Sequence, residues 1–194
     1  MLERLKEILN SYTFLGPKDV LQLVSIGNLK RIKKGEHIIH MGEHNYNAIF
    51  VILGLLKSYT INENGDEVTL AFVPEKKNIA SYKTILSGKP SIENVVAVED
   101  SWVLITDGRK LDKLVETNKS IMYMQNKILK EVLRSSLDNM MSHIILTPEQ
   151  RYNKFCEDYP RLQQRVAQKD LASYIGVTPT SLSRIRARMA QHKK

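Results

Sequence analysis

A single cysteine, Cys156, stands in the 194 residues. That excludes an intrachain disulfide and leaves too few thiolates for an iron–sulfur cluster. The thiol is expected as a small apolar group on a helix face. No stretch approaches the roughly 20 apolar residues that a membrane span needs. The opening MLERLKEILNSY is amphipathic and lacks the apolar centre and small-residue cleavage site of a signal peptide. A cytoplasmic protein with no membrane partner is the expectation. The chain has no Gly-x-Ser-x-Gly elbow, no phosphate-binding loop, no dinucleotide fingerprint and no zinc-binding His-Glu pattern. No enzyme, cofactor or metal site is expected. Two local absences matter more: no glycine or proline occurs from Asp112 to Ile145, and no arginine between Arg31 and Arg109.

What is present divides the chain near residue 110. With 42% hydrophobic residues a sizeable core is available. Helical patterns over about 2–10 and 17–27 precede β-rich runs at 34–44, 47–61, 63–73 and 91–106. Asn64-Gly65 reads as the hairpin turn between Ser58–Ile61 and Val68–Val73, and Glu99-Asp100 as another turn. Short strands at this spacing predict a small β-sandwich or roll. His37, His40 and His44 form the one histidine cluster. On an extended strand His37 and His40 would point to opposite faces, which suits strand histidines better than a chelate.

Beyond Gly108 the pattern is helical, as one helix of up to about 35 residues or a short one leading into a long one. Ile121, Gln125, Ile128, Val132 and Ser135 step in heptad fashion and suggest a seam with a second copy. The alternative is a helix packed on its own β domain. Thr147-Pro148-Glu149-Gln150 has the form of a capping box, with 143–147 as a hinge before it. The expected domains are therefore 1–110, 111–146 and 147–194.

Charge gathers at the C-terminal end. Residues 165–194 hold seven lysines and arginines against Asp170 alone, most of the net +8. A polyanion partner is one reading, a solvated basic end the other. Within this stretch Leu171, Ala172, Ile175, Gly176, Val177, Leu182 and Ile185 fill the structural positions of a DNA-binding helix-turn-helix. A plain helical hairpin seldom satisfies all of them. Thr178 would cap the second helix and Pro179 would open it. Outward on that helix, Thr180, Ser183 and Arg184 are the candidate base readers, Arg184 through a bidentate contact to guanine. Gln168, Lys169, Thr178, Ser181, Arg186 and Arg188 are candidate contacts to the DNA backbone, with Lys193 and Lys194 adding phosphate attraction.

β roll, long helix, capped hinge and helix-turn-helix, in that order, resemble the Crp/Fnr family of bacterial transcription regulators. In the first half the likeness rests on Lys34-Gly35-Glu36, Met41-Gly42-Glu43, the run Phe50 to Lys57 and Gly65-Asp66-Glu67; in the second half it rests on Gln168–Arg188. The resemblance implies an α+β fold: an N-terminal cyclic-nucleotide-binding-like β roll (jelly roll), a long dimerisation helix and a C-terminal helix-turn-helix domain. It implies a homodimer on double-stranded DNA, RNA polymerase as a further partner, and an effector in the roll that reorients the DNA domains. Many relatives continue past the recognition helix into a β wing; here only Ala190 to Lys194 follow, so no wing is expected.

Cyclic-nucleotide binders of this type carry a Gly-Glu pair for the ribose and, further on, an Arg-Ser pair for the phosphate. Here the corresponding stretches are Asn78 to Lys83 and Lys89 to Asn94, with neither pair. Ile79, Ser81, Tyr82, Lys83, Ser91 and Ile92 are the candidate effector-pocket residues. A regulator that does not answer to cyclic AMP is expected, with an unknown small molecule or none as effector. The alternative is a small-molecule or cyclic-nucleotide sensing module acting through protein contacts rather than DNA.

Overall fold

The computed structural model describes residues 13–192. The helix expected over 2–10 lies outside the described residues, as do Lys193 and Lys194. The chain runs α1 (Pro17–Ile26), β1 (Gly27–Ile32), β2 (His37–Ile39), β3 (Asn47–Leu53), β4 (Leu56–Ile61), β5 (Glu67–Val73), β6 (Asn78–Ala80), α2 (Tyr82–Ser87), β7 (Asn94–Ala97) and β8 (Ser101–Asp107). Then follow α3 (Gly108–Thr117), α4 (Lys119–Ile145), α5 (Pro148–Asp158), a 3₁₀ turn (Leu162–Gln164), α6 (Gln168–Ile175) and α7 (Pro179–His192).

The strands form two four-stranded antiparallel sheets, ordered β1-β8-β3-β6 and β2-β7-β4-β5. Between them Ile32, Ile39, Ile49, Val51, Leu56, Val95 and Val103 are fully buried, and this apolar layer holds the roll together. The β4–β5 hairpin is real, but its turn is not the two-residue turn that Asn64-Gly65 suggests. Asn62 accepts from the Asn64 and Asp66 amides at 3.0 and 2.9 Å, so residues 62–66 all belong to the loop. Only Gly65 takes positive φ, +85°, whereas the two-residue turn with Asn-Gly at its centre needs both residues there. His37 and His40 also depart from strand alternation. β2 ends at Ile39 with a register shift, and the two rings stack at 5.2 Å between centroids. His37 Nε2 shares a 2.9 Å hydrogen bond with Tyr59 OH.

The helical half begins with two helices, not one. Asn118 breaks the run: its carbonyl oxygen accepts from the amides of Ser120 and Ile121, capping α4 at 3.0 and 3.1 Å. Its amide group donates to Asp19 and Gln22 of α1. One side chain thus starts α4 and fastens it to the front of the roll. The expected seam also turns out differently. Ile121 is fully buried in the chain's own packing with Leu23 and Met124, and Ile128 packs on the same cluster. Val132 and Ser135 line a cavity of the chain itself, and Gln125 lines another. Among the exposed apolar residues of α4, Leu133, Leu137, Met140 and Ile144 share another face, at 60, 47, 52 and 69% exposure. Their steps of four, three and four residues are those of a coiled-coil seam. Among the described residues no helix is long and apolar enough to cross a membrane.

Thr147 closes the expected capping box on α5: its hydroxyl accepts from the Gln150 amide and the Gln150 side chain accepts from the Thr147 amide. Arg151 then braces the hinge, donating to the carbonyls of Leu146 (2.6 Å) and Ile175 (2.7 Å). Phe155, Leu171, Ala172, Ile175, Leu182 and Ile185 form the C-terminal core, which is continuous with Leu55 and Phe72 of the roll.

Candidate nucleic-acid interface and effector cavity

The helix pair is built by local chemistry. α6 buries Leu171, Ala172 and Ile175, and α7 buries Leu182 and Ile185 against them. The methyl of Ala172 is what allows the two axes to approach. Gly176 ends α6 at φ +77°, a left-handed conformation that costs an L side chain about 1–2 kcal/mol. The Val177 amide returns to the Ala172 carbonyl at 2.9 Å. Thr178 accepts from the Ser181 amide at 3.2 Å and so caps α7, with Pro179 at its first position.

The opposite face of α7 is exposed: Pro179, Thr180, Ser183, Arg184 and Ala187. Arg184 has no hydrogen-bond or ion-pair partner among the described residues, and neither has exposed Lys169. Gln168 reaches across the pair, donating to the Pro179 carbonyl at 3.0 Å and to Ser183 Oγ at 2.6 Å. It therefore sits beside the candidate base readers and fixes one of them. Two other expected backbone contacts are engaged within the chain. Arg186 folds back on Tyr152, with Nε 3.2 Å from the hydroxyl and the guanidinium 5.6 Å from the ring centroid. Arg188 pairs with Glu149 at 3.1 Å. Their charges still add to the positive field, but their forks, unlike that of Arg184, have partners among the described residues. The charge of the residues alone gave no sign of this; the aromatic Tyr152 on α5 is what draws Arg186 inward.

The second feature is a cavity of about 300 Å³ where the roll meets α4, the end of α5 and α6. Tyr82, Glu93, Val132, Ser135, Tyr159 and Tyr174 are among its walls. Ser58 Oγ donates to the Glu93 carboxylate. Burial raises the Glu93 pKa, with the Ser58 hydrogen bond opposing. Burial, with the Glu93 charge beside it, pushes the Tyr82 phenol up to about 12. Of the six expected pocket residues, Ile79 and Tyr82 line this cavity. Ser81 is buried and hydrogen-bonded to Thr84 at 2.9 Å. Ser91 is buried with its hydroxyl on the Glu93 carbonyl. Lys83 and Ile92 point to solvent. Nothing in the sequence near 78–94 announces Tyr159 or Tyr174, which reach the cavity from the far end of the chain.

The same region fastens the C-terminal unit to the roll. Lys57, nearly buried, donates to Glu67 at 3.1 Å and to Asp170 of α6 at 3.0 Å. Burial works against its ammonium, but these two partners outweigh it and hold its pKa above the ordinary lysine value. The Thr69 amide of edge strand β5 donates to Ser173 Oγ at 2.9 Å, so α6 covers an edge that would otherwise be open. Arg165 bridges Glu75 at 2.9 Å and Glu99 at 2.6 Å.

Residues 29–118 match the cyclic nucleotide-binding domain family. The chain is similar to FixK2 from Bradyrhizobium japonicum, with a TM-score of 0.76, 18% identity and coverage of 87% of this chain and 86% of that one. The fold is that of the Crp/Fnr transcription regulators. It is also similar to the c-di-GMP responsive global regulator CLP of Xanthomonas campestris (TM-score 0.72, 13% identity, 90% of this chain and 91% of that one). A third likeness is to a CooA mutant from Carboxydothermus hydrogenoformans (TM-score 0.70, 15% identity, 88% and 79%). No curated protein matches the sequence. The cavity is walled partly by residues of the matched domain and partly by α4, Tyr159 and Tyr174, and among the described residues no arginine lines it.

Proposed function

We propose that the protein is a dimeric, sequence-specific DNA-binding transcription regulator of the Crp/Fnr type that does not respond to cyclic AMP. The observation that carries this is the exposed Arg184 on the outer face of α7, without a partner among the described residues and held there by the buried Leu182 and Ile185. α7 is then the recognition helix. Arg184 reads a guanine edge, and Thr180 and Ser183 read neighbouring bases. Lys169, Ser181 and the amides at the start of α7 hold phosphates, with Arg186 and Arg188 contributing charge. Binding is to double-stranded DNA, and retention on a DNA column should fall steeply as salt rises, because phosphate contacts release counterions. Retention indifferent to salt would remove DNA as the partner.

The dimer forms along Leu133, Leu137, Met140 and Ile144. Leu137→Glu should convert the protein to a monomer in sedimentation at micromolar concentration, while Ile128, which packs inward, has no such role in the seam. Among the described residues no arginine lines the cavity, and the Glu93 carboxylate in its wall has no cation beside it; together these speak against an anionic cyclic phosphate as effector.

A further inference from the structure

The cavity's chemistry goes beyond disfavouring a phosphate. Its ionisable groups are Glu93, the phenols of Tyr82, Tyr159 and Tyr174, and the Lys77–Glu131 pair. Lys77 and Glu131 neutralise each other, so Glu93 is the one carboxylate in the wall without a cationic partner among the described residues. Ser58 supplies it with a hydrogen bond but no charge. Tyr82 stands beside it, within reach of its charge. Tyr174 packs its ring centroid 5.5 Å from that of Phe72 and 5.6 Å from that of Phe155, and Phe72 and Tyr159 are further walls. A carboxylate in a cavity with aromatic walls is complementary to a desolvated positive charge.

We infer that this cavity binds a small organic cation, an amine or quaternary ammonium, through Glu93 and the surrounding tyrosine rings. The inference rests on the reading of the roll as an effector-binding unit. The size agrees: about 300 Å³ lies at the low end of the range for ligand pockets. The location gives the cation leverage. Its walls come from β5, α4 and α6, and the Tyr174 ring that would face it also belongs to the packing that seats α6 against Phe72.

The test is calorimetric titration of the full-length protein, without DNA, using tetramethylammonium, choline and putrescine chlorides against matched sodium chloride, with cyclic AMP as the anionic comparison. At least one cation should bind saturably with a Kd below millimolar, and cyclic AMP should bind more weakly than that cation. Glu93→Gln preserves shape and the partner for Ser58, and should weaken cation binding tenfold or more. Should Glu93→Gln fail to fold by circular dichroism, Tyr82→Leu, whose ring is only half-buried, takes its place and should weaken binding several-fold. Three outcomes overturn the inference: no saturable binding by any of the three cations, cyclic AMP binding tighter than all of them, or cation binding unchanged in the folded variant. DNA does not enter the readout, so a failure of DNA recognition leaves this result standing.

Discussion

Arg184 and Glu93 meet solvent in opposite ways. Arg184 projects from α7 with no partner among the described residues, on a helix whose inner face is locked by Leu182 and Ile185. Glu93 is drawn into a cavity, hydrogen-bonded by Ser58 and held at a raised pKa by burial. An exposed guanidinium keeps its hydration until a polyanion replaces it, which suits a reversible surface contact. A half-buried carboxylate has already lost part of its hydration, so the molecule itself bears a cost that a bound cation would relieve. On the proposed function, the difference separates an output surface from an input site, and each variant acts on one side of it.

The largest effect is expected where the frame of Arg184 is removed. Leu182→Ala, at a fully buried position, should destabilise the C-terminal unit by about 2–5 kcal/mol in urea unfolding, because the cavity left behind collapses only in part. Next comes Arg184→Ala, which should leave the unfolding curve in place and cost about 1–3 kcal/mol of discrimination at the base pair it reads, measured by fluorescence anisotropy on matched and mismatched duplexes. On the other side, Glu93 gives the protein a pH signature. The folded chain holds the Glu93 proton more tightly than the unfolded chain does. Its contribution to stability is therefore greatest in acid and is lost as pH rises from the ordinary carboxylate value through the raised one. Glu93→Gln should abolish that part of the loss, so that the variant gains on the native protein as thermal unfolding is moved from acid to neutral pH. The smallest effect is expected for Arg188→Ala. Its pair with Glu149 is exposed on both sides, so stability should change by less than about 1 kcal/mol, and base preference should not change at all.

The two regions also differ in how far the sequence reveals them. The helix pair could be read because its contacts are short-range: Ala172, Gly176, Val177, Thr178 and Leu182 act on one another within a few turns of chain. The capping box at Thr147 is legible for the same reason. The cavity is not, because Tyr82, Glu93, Tyr159 and Tyr174 meet only after the roll, α4 and α6 have packed. The helix α4 misleads in a different way. It is apolar on two faces, and periodicity alone favoured Ile121 and Ile128, which pack on the chain itself, over Leu133, Leu137, Met140 and Ile144, which do not. The break at Asn118 carries a signal, a capping amide inside a helical run, but what decides it is the pair of hydrogen bonds to Asp19 and Gln22, made across the fold.

The role of the exposed face of α7 is tested most directly by selecting bound sequences from a random duplex library with the native protein and with Arg184→Ala. The native protein should enrich a two-fold site whose halves lie about 34–36 Å apart, one helical turn. Arg184→Ala should retain binding but lose preference for one guanine in each half. No enrichment by the native protein, or the same consensus from both proteins, would contradict a reading role for α7 and Arg184.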